Sequence, residues 1–174
     1  MAIEERTDPE LVQACLAGGV SAYAELVRRH QNSVFGLAVS MTRNREDAED
    51  MAQEAFIRAY SKLDQYNPDF AFRSWILQIC SNRTKNLFRA RMNRRNVEEK
   101  HLNEIAVVED AVMPDFQEVE DALGTLPPKL GAPLRLKYME NLSYEEISAV
   151  LGIGVSAAKM RVMRARKQLQ EVLT

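Results

Sequence analysis

Apolar residues recur along this chain at the three-and-four spacing of a helix face, and no alternating run is long enough for a strand. Asp8, with Pro9 behind it, reads as an N-cap, and Gly18-Gly19 closes a short first helix. A second helix follows Ser21, with Tyr23, Leu26, Val27, His30, Val34, Leu37, Ala38 and Met41 on one face. Asn44 reads as the N-cap of a third, whose buried face is Ala48, Met51, Ala52, Ala55, Phe56, Ala59, Tyr60 and Leu63. Gln65-Tyr66-Asn67-Pro68-Asp69 breaks the period and predicts a loop. A fourth helix runs from about Phe72 to Met92. Trp75, Ile76, Ile79, Cys80 and Leu87 point inward, and Gln78, Asn82, Lys85 and Arg89 form an outward stripe. Phe72 and Trp75 are expected in the core.

Residues 93–114 are charged, weakly periodic and free of aromatics, which predicts a linker. Phe116, Val119, Leu123 and Leu126 then mark a helix that ends at Pro127-Pro128, and another covers about Pro128 to Glu140. Pro133 falls near the first turns of that helix, where its missing N–H costs least. Ser143 followed by Glu146 is a capping box, in which hydroxyl and carboxylate satisfy backbone donors at a helix start. Ile147, Val150 and Leu151 give that short helix an apolar face, and Gly152 stops it. The last helix is apolar at Val155, Ala158, Val162, Ala165 and Leu169, with Lys159, Arg161, Arg164, Arg166 and Lys167 over the rest of its surface. A short helix, a glycine turn and a basic helix make a helix-turn-helix able to place its second helix in a DNA major groove.

Composition narrows the classes. In 174 residues, 46% are hydrophobic and 28% charged, as in a folded soluble protein. No apolar stretch approaches the ~20 residues of a membrane span. The first residues, MAIEERTDPE, have no apolar core and are not expected to act as a secretory signal, and cytoplasmic residence is expected. Cys15 and Cys80 sit among apolar positions and predict core packing rather than a disulfide or metal site. His30 and His101 offer no ligand spacing, so His30 reads as a packed or partly exposed side chain.

Net charge is only −2, yet the charges are segregated. Residues 46–54 hold five acids and no base, residues 83–95 hold six bases and no acid, and residues 101–128 hold seven acids and no Lys or Arg. Such blocks predict two basic surfaces for nucleic acid and an acidic surface for a protein.

DAEDMAQEAF in the first half and LPPKLGAPLRLKYMENLSYEEISAVLGIGVSAAKMRVMRARKQL in the second resemble a bacterial sigma factor of the extracytoplasmic-function group. The resemblance implies an all-α chain. A sigma-2-like four-helix domain (1–92) is joined by a linker (93–114) to a sigma-4-like helix-turn-helix domain (115–174). It implies a transcription initiation factor that is not an enzyme and needs no cofactor or metal. Its partners would be core RNA polymerase, through the β′ clamp helices and the β flap, promoter DNA, and an anti-sigma factor, with no membrane insertion.

The resemblance also distributes roles. Asp47, Asp50, Gln53 and Glu54, with Ile57 as an apolar contact, are expected on core polymerase. Tyr66, Asn67, Asp69 and Phe70 are expected to capture melted −10 bases, and Gln78, Asn82, Lys85, Asn86 and Arg89 to line the strand's path. Arg91, Arg94 and Arg95 fit either phosphate contacts or linker charges. Ser156, Lys159, Met160, Arg161, Met163, Arg164 and Lys167 are expected at the −35 duplex. Arg161 and Arg164 suit guanine, while Lys159 and Lys167 suit phosphate. Ala157 and Met160 stand where the family often has hydrogen-bonding side chains, so no family −35 sequence is carried over. A stand-alone helix-turn-helix regulator would leave the acidic helix and the aromatic loop without a task. A metal-dependent enzyme built on Asp47, Asp50 and Glu54 lacks a matching histidine. A sigma-factor inhibitor has no need of two basic surfaces.

Overall fold

The computed structural model describes residues 2–98 and 117–172, and among these it contains helices and turns but no strand. The α-helices are α1 (Asp8–Leu16), α2 (Val20–Thr42), α3 (Arg45–Ser61), α4 (Phe72–Glu98), α5 (Gln117–Thr125), α6 (Pro128–Tyr138), α7 (Tyr144–Leu151) and α8 (Val155–Val172). Short 3₁₀ turns cover Ile3–Glu5 and Leu63–Gln65.

Helix ends follow local chemistry. Asn44 accepts from the Asp47 amide at 2.9 Å, and Arg43 before it takes a left-handed conformation that ends α2. Ser143 and Glu146 form the reciprocal capping box, and Gly152 ends α7 at φ 61°. The predicted cap at Asp8 is displaced by one residue. Thr7 is the N-cap, its amide bonded to Glu10, and Asp8 instead reaches the His30 ring at 2.7 Å and Arg29 at 3.1 Å. The second helix starts two residues earlier than predicted, at Val20. Pro133 lies inside α6 rather than in its first turn. α4 continues past Met92 to Glu98, since no Pro or Gly interrupts residues 93–98. The rest of the expected linker, through Pro114, lies outside the described residues.

α2 is the helix on which the others assemble. Leu26, Val34, Leu37 and Ala38 are fully buried, packed with Leu11 and Val12 of α1, Ala48 and Ala55 of α3, and Ile76, Leu77 and Cys80 of α4. Each such Leu, Ile or Val side chain contributes about 1.5–3 kcal/mol by leaving water. The same core continues into the C-terminal helices through Ala132, Leu136, Leu142, Ile147, Val150, Leu151 and Ala158. A smaller cluster of Leu123, Leu126, Leu134, Val162 and Ala165 joins α5, α6 and α8. α6 therefore packs on α2, and α7 on α4. Both cysteines are buried, and burial pushes the Cys80 thiol up to about 12.

Asp8 of α1, which also meets His30, and Glu25 of α2 share Arg29, and this ties α1 to α2. Burial raises the Asp8 pKa, but hydrogen bonds and charge from His30 and Arg29 outweigh it and hold the group below its ordinary value. Glu25 is held down to about 2 by hydrogen bonds from Arg28 and Arg29. Depressed carboxylates stabilise the fold above their unfolded values, and that contribution drains as pH falls toward the folded ones. The melting temperature should accordingly fall more steeply from about pH 5 to about pH 3 in the wild type than in Asp8→Asn/Glu25→Gln. Calorimetry across that range checks this, and parallel curves would remove these groups from the acid response.

Candidate polymerase and promoter interfaces

The acidic stripe of α3 is divided by its partners. Asp47 is held bidentate by Arg91 of α4, with both contacts at 2.6 Å, and its side chain is only 16% exposed. Glu54 accepts from Arg83 Nε at 2.8 Å and also from Arg83 Nη2. Asp50, Gln53 and Ile57 remain open to solvent, Ile57 being 63% exposed. Beside them runs a shallow apolar groove lined by Tyr23, Val27, Gln53, Phe56, Ile57 and Tyr60. Tyr23 donates to the Phe56 carbonyl at 2.5 Å and meets Tyr60 edge-on at 4.8 Å between ring centroids. Tyr60 was expected inside but is half exposed. It lies at the margin of the apolar stripe, where helical period alone cannot separate core from surface.

The loop after α3 is stiffened from below. Tyr66 is buried, donates to the Phe70 carbonyl at 2.6 Å, and packs with Phe72 and Trp75 at centroid distances of 5.5 and 5.4 Å. Asn67 accepts from the Asp69 amide at 2.9 Å, which closes a local turn. The side chains presented outward are thus Asn67, Asp69 and Phe70, the last 66% exposed. Tyr66 supports the loop instead of projecting from it. Phe72 is core, as its period predicts.

The outward stripe of α4 is only partly outward. Asn82, Asn86 and Arg89 are exposed, with Arg89 bonded to Asn86 at 3.2 Å. Gln78 donates to the Ala149 carbonyl at 3.1 Å, and Lys85 donates to the Leu151 carbonyl, so the end of α7 lies over both. On α8, Ser156, Lys159, Met160, Met163, Arg164 and Lys167 are exposed together on the side away from Ala158, Val162 and Ala165. Arg161 is half-buried and stands close enough to Lys85 to act on its titration. Burial first, then Arg89 and Arg161, lower the Lys85 pKa. Among the described residues no group of three or more His, Cys, Asp or Glu could hold a metal ion, and no helix is long and apolar enough to cross a membrane.

Two stretches match family descriptions in the order of these surfaces: sigma-70 region 2 over residues 26–94 and sigma-70 region 4 over residues 116–169. The RNA polymerase sigma-H factor of Pseudomonas aeruginosa is 32% identical, over 98% of this chain and 96% of its own. The ECF RNA polymerase sigma-E factor of Escherichia coli is 33% identical, over 95% of this chain and 94% of its own. The chain belongs to the extracytoplasmic-function sigma factors. Two solved structures share the fold of this sigma factor. RpoE, in complex with the anti-sigma factor NepR from Bartonella quintana, superposes with a TM-score of 0.72 at 24% identity, over 87% of this chain and 96% of that one. CnrH, in complex with the cytosolic domain of CnrY, superposes with a TM-score of 0.66 at 28% identity, over 95% and 96%.

Within the sigma factor, the region 2 match contains α3 and the described part of α4 up to Arg94, and so both ion pairs that join them. A double-mutant cycle on Asp47→Asn and Arg91→Gln should give a coupling of about 0.2–1 kcal/mol in unfolding free energy, as expected for a well-aligned pair at the surface. Urea titration of the four proteins measures it, and zero coupling would mean the pair does not form in solution.

Proposed function

We propose that this transcription initiation factor engages core RNA polymerase through Asp50, Gln53 and Ile57 of α3. It then reads melted −10 DNA with the loop 66–71 and α4, and reads the −35 duplex with α8. The observation that carries this reading is the sorting of α3. Its one side stays acidic and apolar, with Asp50 and Gln53 exposed and without a hydrogen-bond partner among the described residues, while its other side is bound by arginines of the DNA-facing helix. The groove of Tyr23, Val27 and Tyr60 beside Ile57 extends the apolar part of the polymerase contact. Asp47 and Glu54 belong to the same contact but must exchange Arg91 and Arg83 for polymerase groups.

Asn67, Asp69 and Phe70 would take unstacked bases, with Tyr66 fixing the loop beneath them. Asn82, Asn86, Arg89 and Arg91, joined by Gln78 and Lys85 when these are uncovered, would follow the strand. Met160, Met163 and Arg164, with Ser156 and Arg161, would meet base edges of the −35 element, and Lys159 and Lys167 its phosphates. The work is binding and strand capture in the cytoplasm, and the covalent chemistry is the polymerase's. The B. quintana relative in complex with NepR, and CnrH with CnrY, support an anti-sigma partner for this chain also.

Transcription with core polymerase on a random promoter library tests the whole reading. Enriched promoters should share two elements, and an absence of promoter-dependent transcripts would overturn it. Asp50→Lys/Ile57→Lys should abolish co-purification with core polymerase while keeping the helical circular dichroism, since exposed substitutions usually shift stability by about 0.5 kcal/mol or less. Undiminished affinity in the folded double mutant would move the contact elsewhere.

The two kinds of −35 contact separate by a different measurement. Arg164→Ala should cost roughly 1–3 kcal/mol against the preferred base pair. Lys167→Ala should weaken all sequences alike and reduce the salt dependence of binding. Binding across −35 variants at two salt concentrations distinguishes them. A uniform loss in Arg164→Ala would make it a phosphate contact and pass base reading to Arg161.

A further inference from the structure

We propose that Met160 and Met163 read thymine methyl groups, so that the −35 element of this sigma factor carries thymine on neighbouring base pairs and is selected in part by apolar contact. The proposal rests on the duplex-reading role given to α8 above and adds which base that helix selects.

Met160 is 43% exposed and Met163 58%, and among the described residues no other large apolar side chain of α8 is as open. The packing of α8 is complete without them. Val162 and Ala165 are buried with Leu123, Leu126 and Leu134, and Ala158 joins the main core. Two methionines left in water bring the fold none of the stabilisation that burial would give. Residues three apart on a helix are neighbours on its surface, with Cβ atoms about 5–6 Å from each other. Met160 and Met163 therefore form one apolar patch on a helix that otherwise presents Lys159, Arg164, Arg166 and Lys167.

The cations stand around this patch and leave its centre clear. Lys159 lies over the Tyr144 ring, 5.7 Å from its centroid, and Lys167 is 4.0 Å from Glu171 one turn further on. Arg161 is half-buried, and Arg164 follows Met163 directly. A matching surface must offer negative charge at its edges and apolar groups between them. The major groove of B-DNA does so, because phosphates line its rims and the thymine C5-methyl is the apolar group on its base edges.

Spacing and chemistry agree with this match. Successive base pairs rise by about 3.4 Å. Residues three apart on a helix rise by about 4.5 Å. Unbranched, flexible thioether side chains absorb that difference and reach the methyls of adjacent pairs. Methionine has no donor for the acceptors of the groove, so the methyl is what it can select. Arg164, beside the patch, supplies the donors for a guanine next to the thymines. A polar residue at 160 would read hydrogen-bonding groups instead, which is why the apolar pair changes the sequence this helix accepts.

The test uses holoenzyme, the full chain with core polymerase, on promoter duplexes enriched from the random library. Replacing a −35 thymidine by deoxyuridine removes the methyl and keeps every hydrogen-bonding group of the pair. At two neighbouring positions this should weaken wild-type binding about fourfold each, the contribution of one buried methyl. Met160→Ala/Met163→Ala should bind thymine and uracil duplexes equally, whereas Met160→Leu/Met163→Leu should still discriminate. The ratio is taken within each protein, so a change in stability or in general DNA affinity leaves it unaltered. The proposal is overturned if the enriched −35 elements carry no thymine, or if uracil leaves wild-type binding unchanged. It is also overturned if the alanine variant discriminates as wild type does, the result expected of a patch that serves a protein partner. Promoter-dependent initiation without a thymine-to-uracil difference removes the methyl reading alone. An absence of initiation on every promoter removes the sigma-factor reading and this proposal with it.

Discussion

Burial of α2 on more than one side is the constraint on which the rest of this structure depends. Leu26, Val34, Leu37 and Ala38 hold it against α1, α3 and α4, and Gly36 leaves a seat on its surface for α6. A helix with one apolar stripe would leave the C-terminal helices as a separate body. Here the side chains of α2 and α4 share a continuous core with Leu136, Ile147 and Leu151. The position of α7 over α4, and thus the accessibility of Gln78 and Lys85, follows from that packing.

Polar contacts then set which surfaces are free. Two arginines of α4 bind carboxylates of α3, and two residues of the same helix bind carbonyls of α7. Exposed ion pairs contribute only about 0–1 kcal/mol and are screened by salt. These partners can therefore be exchanged for groups on polymerase or DNA without disturbing the apolar core. A sigma factor has to make and release contacts repeatedly, and weak polar seams over a strongly buried scaffold suit that task. Arg91 and Asp47 illustrate the arrangement, since one pair touches both the face proposed for polymerase and the face proposed for DNA.

Much of the molecule was legible in order along the chain. Helical period located the apolar faces of α2, α3, α4, α7 and α8, Asn44 and the Ser143–Glu146 box placed two helix starts, and Gly152 placed a helix end. These are local effects, decided by hydrogen bonds and backbone conformations within a few residues. The misreadings also share a cause. Asp8 resembles a cap, but Thr7 with Glu10 is the better local solution once His30 and Arg29 hold the aspartate. The resemblance placed Tyr66 among the base-capturing residues of its loop, but Phe72 and Trp75, close in space, draw it inward.

The sequence by itself determined the helices, their apolar faces, the segregation of charge and the family, because each depends on residue type at short separation. Only the tertiary structure decided which charged residues are free. Asp47 and Asp50 sit on the same acidic stripe, yet one is bound by an arginine 44 residues away and the other is open. Gln78 and Asn82 occupy one stripe of α4, yet α7 covers the first alone. A side chain's availability depends on what the folded chain brings against it, and no spacing within one helix encodes that neighbour.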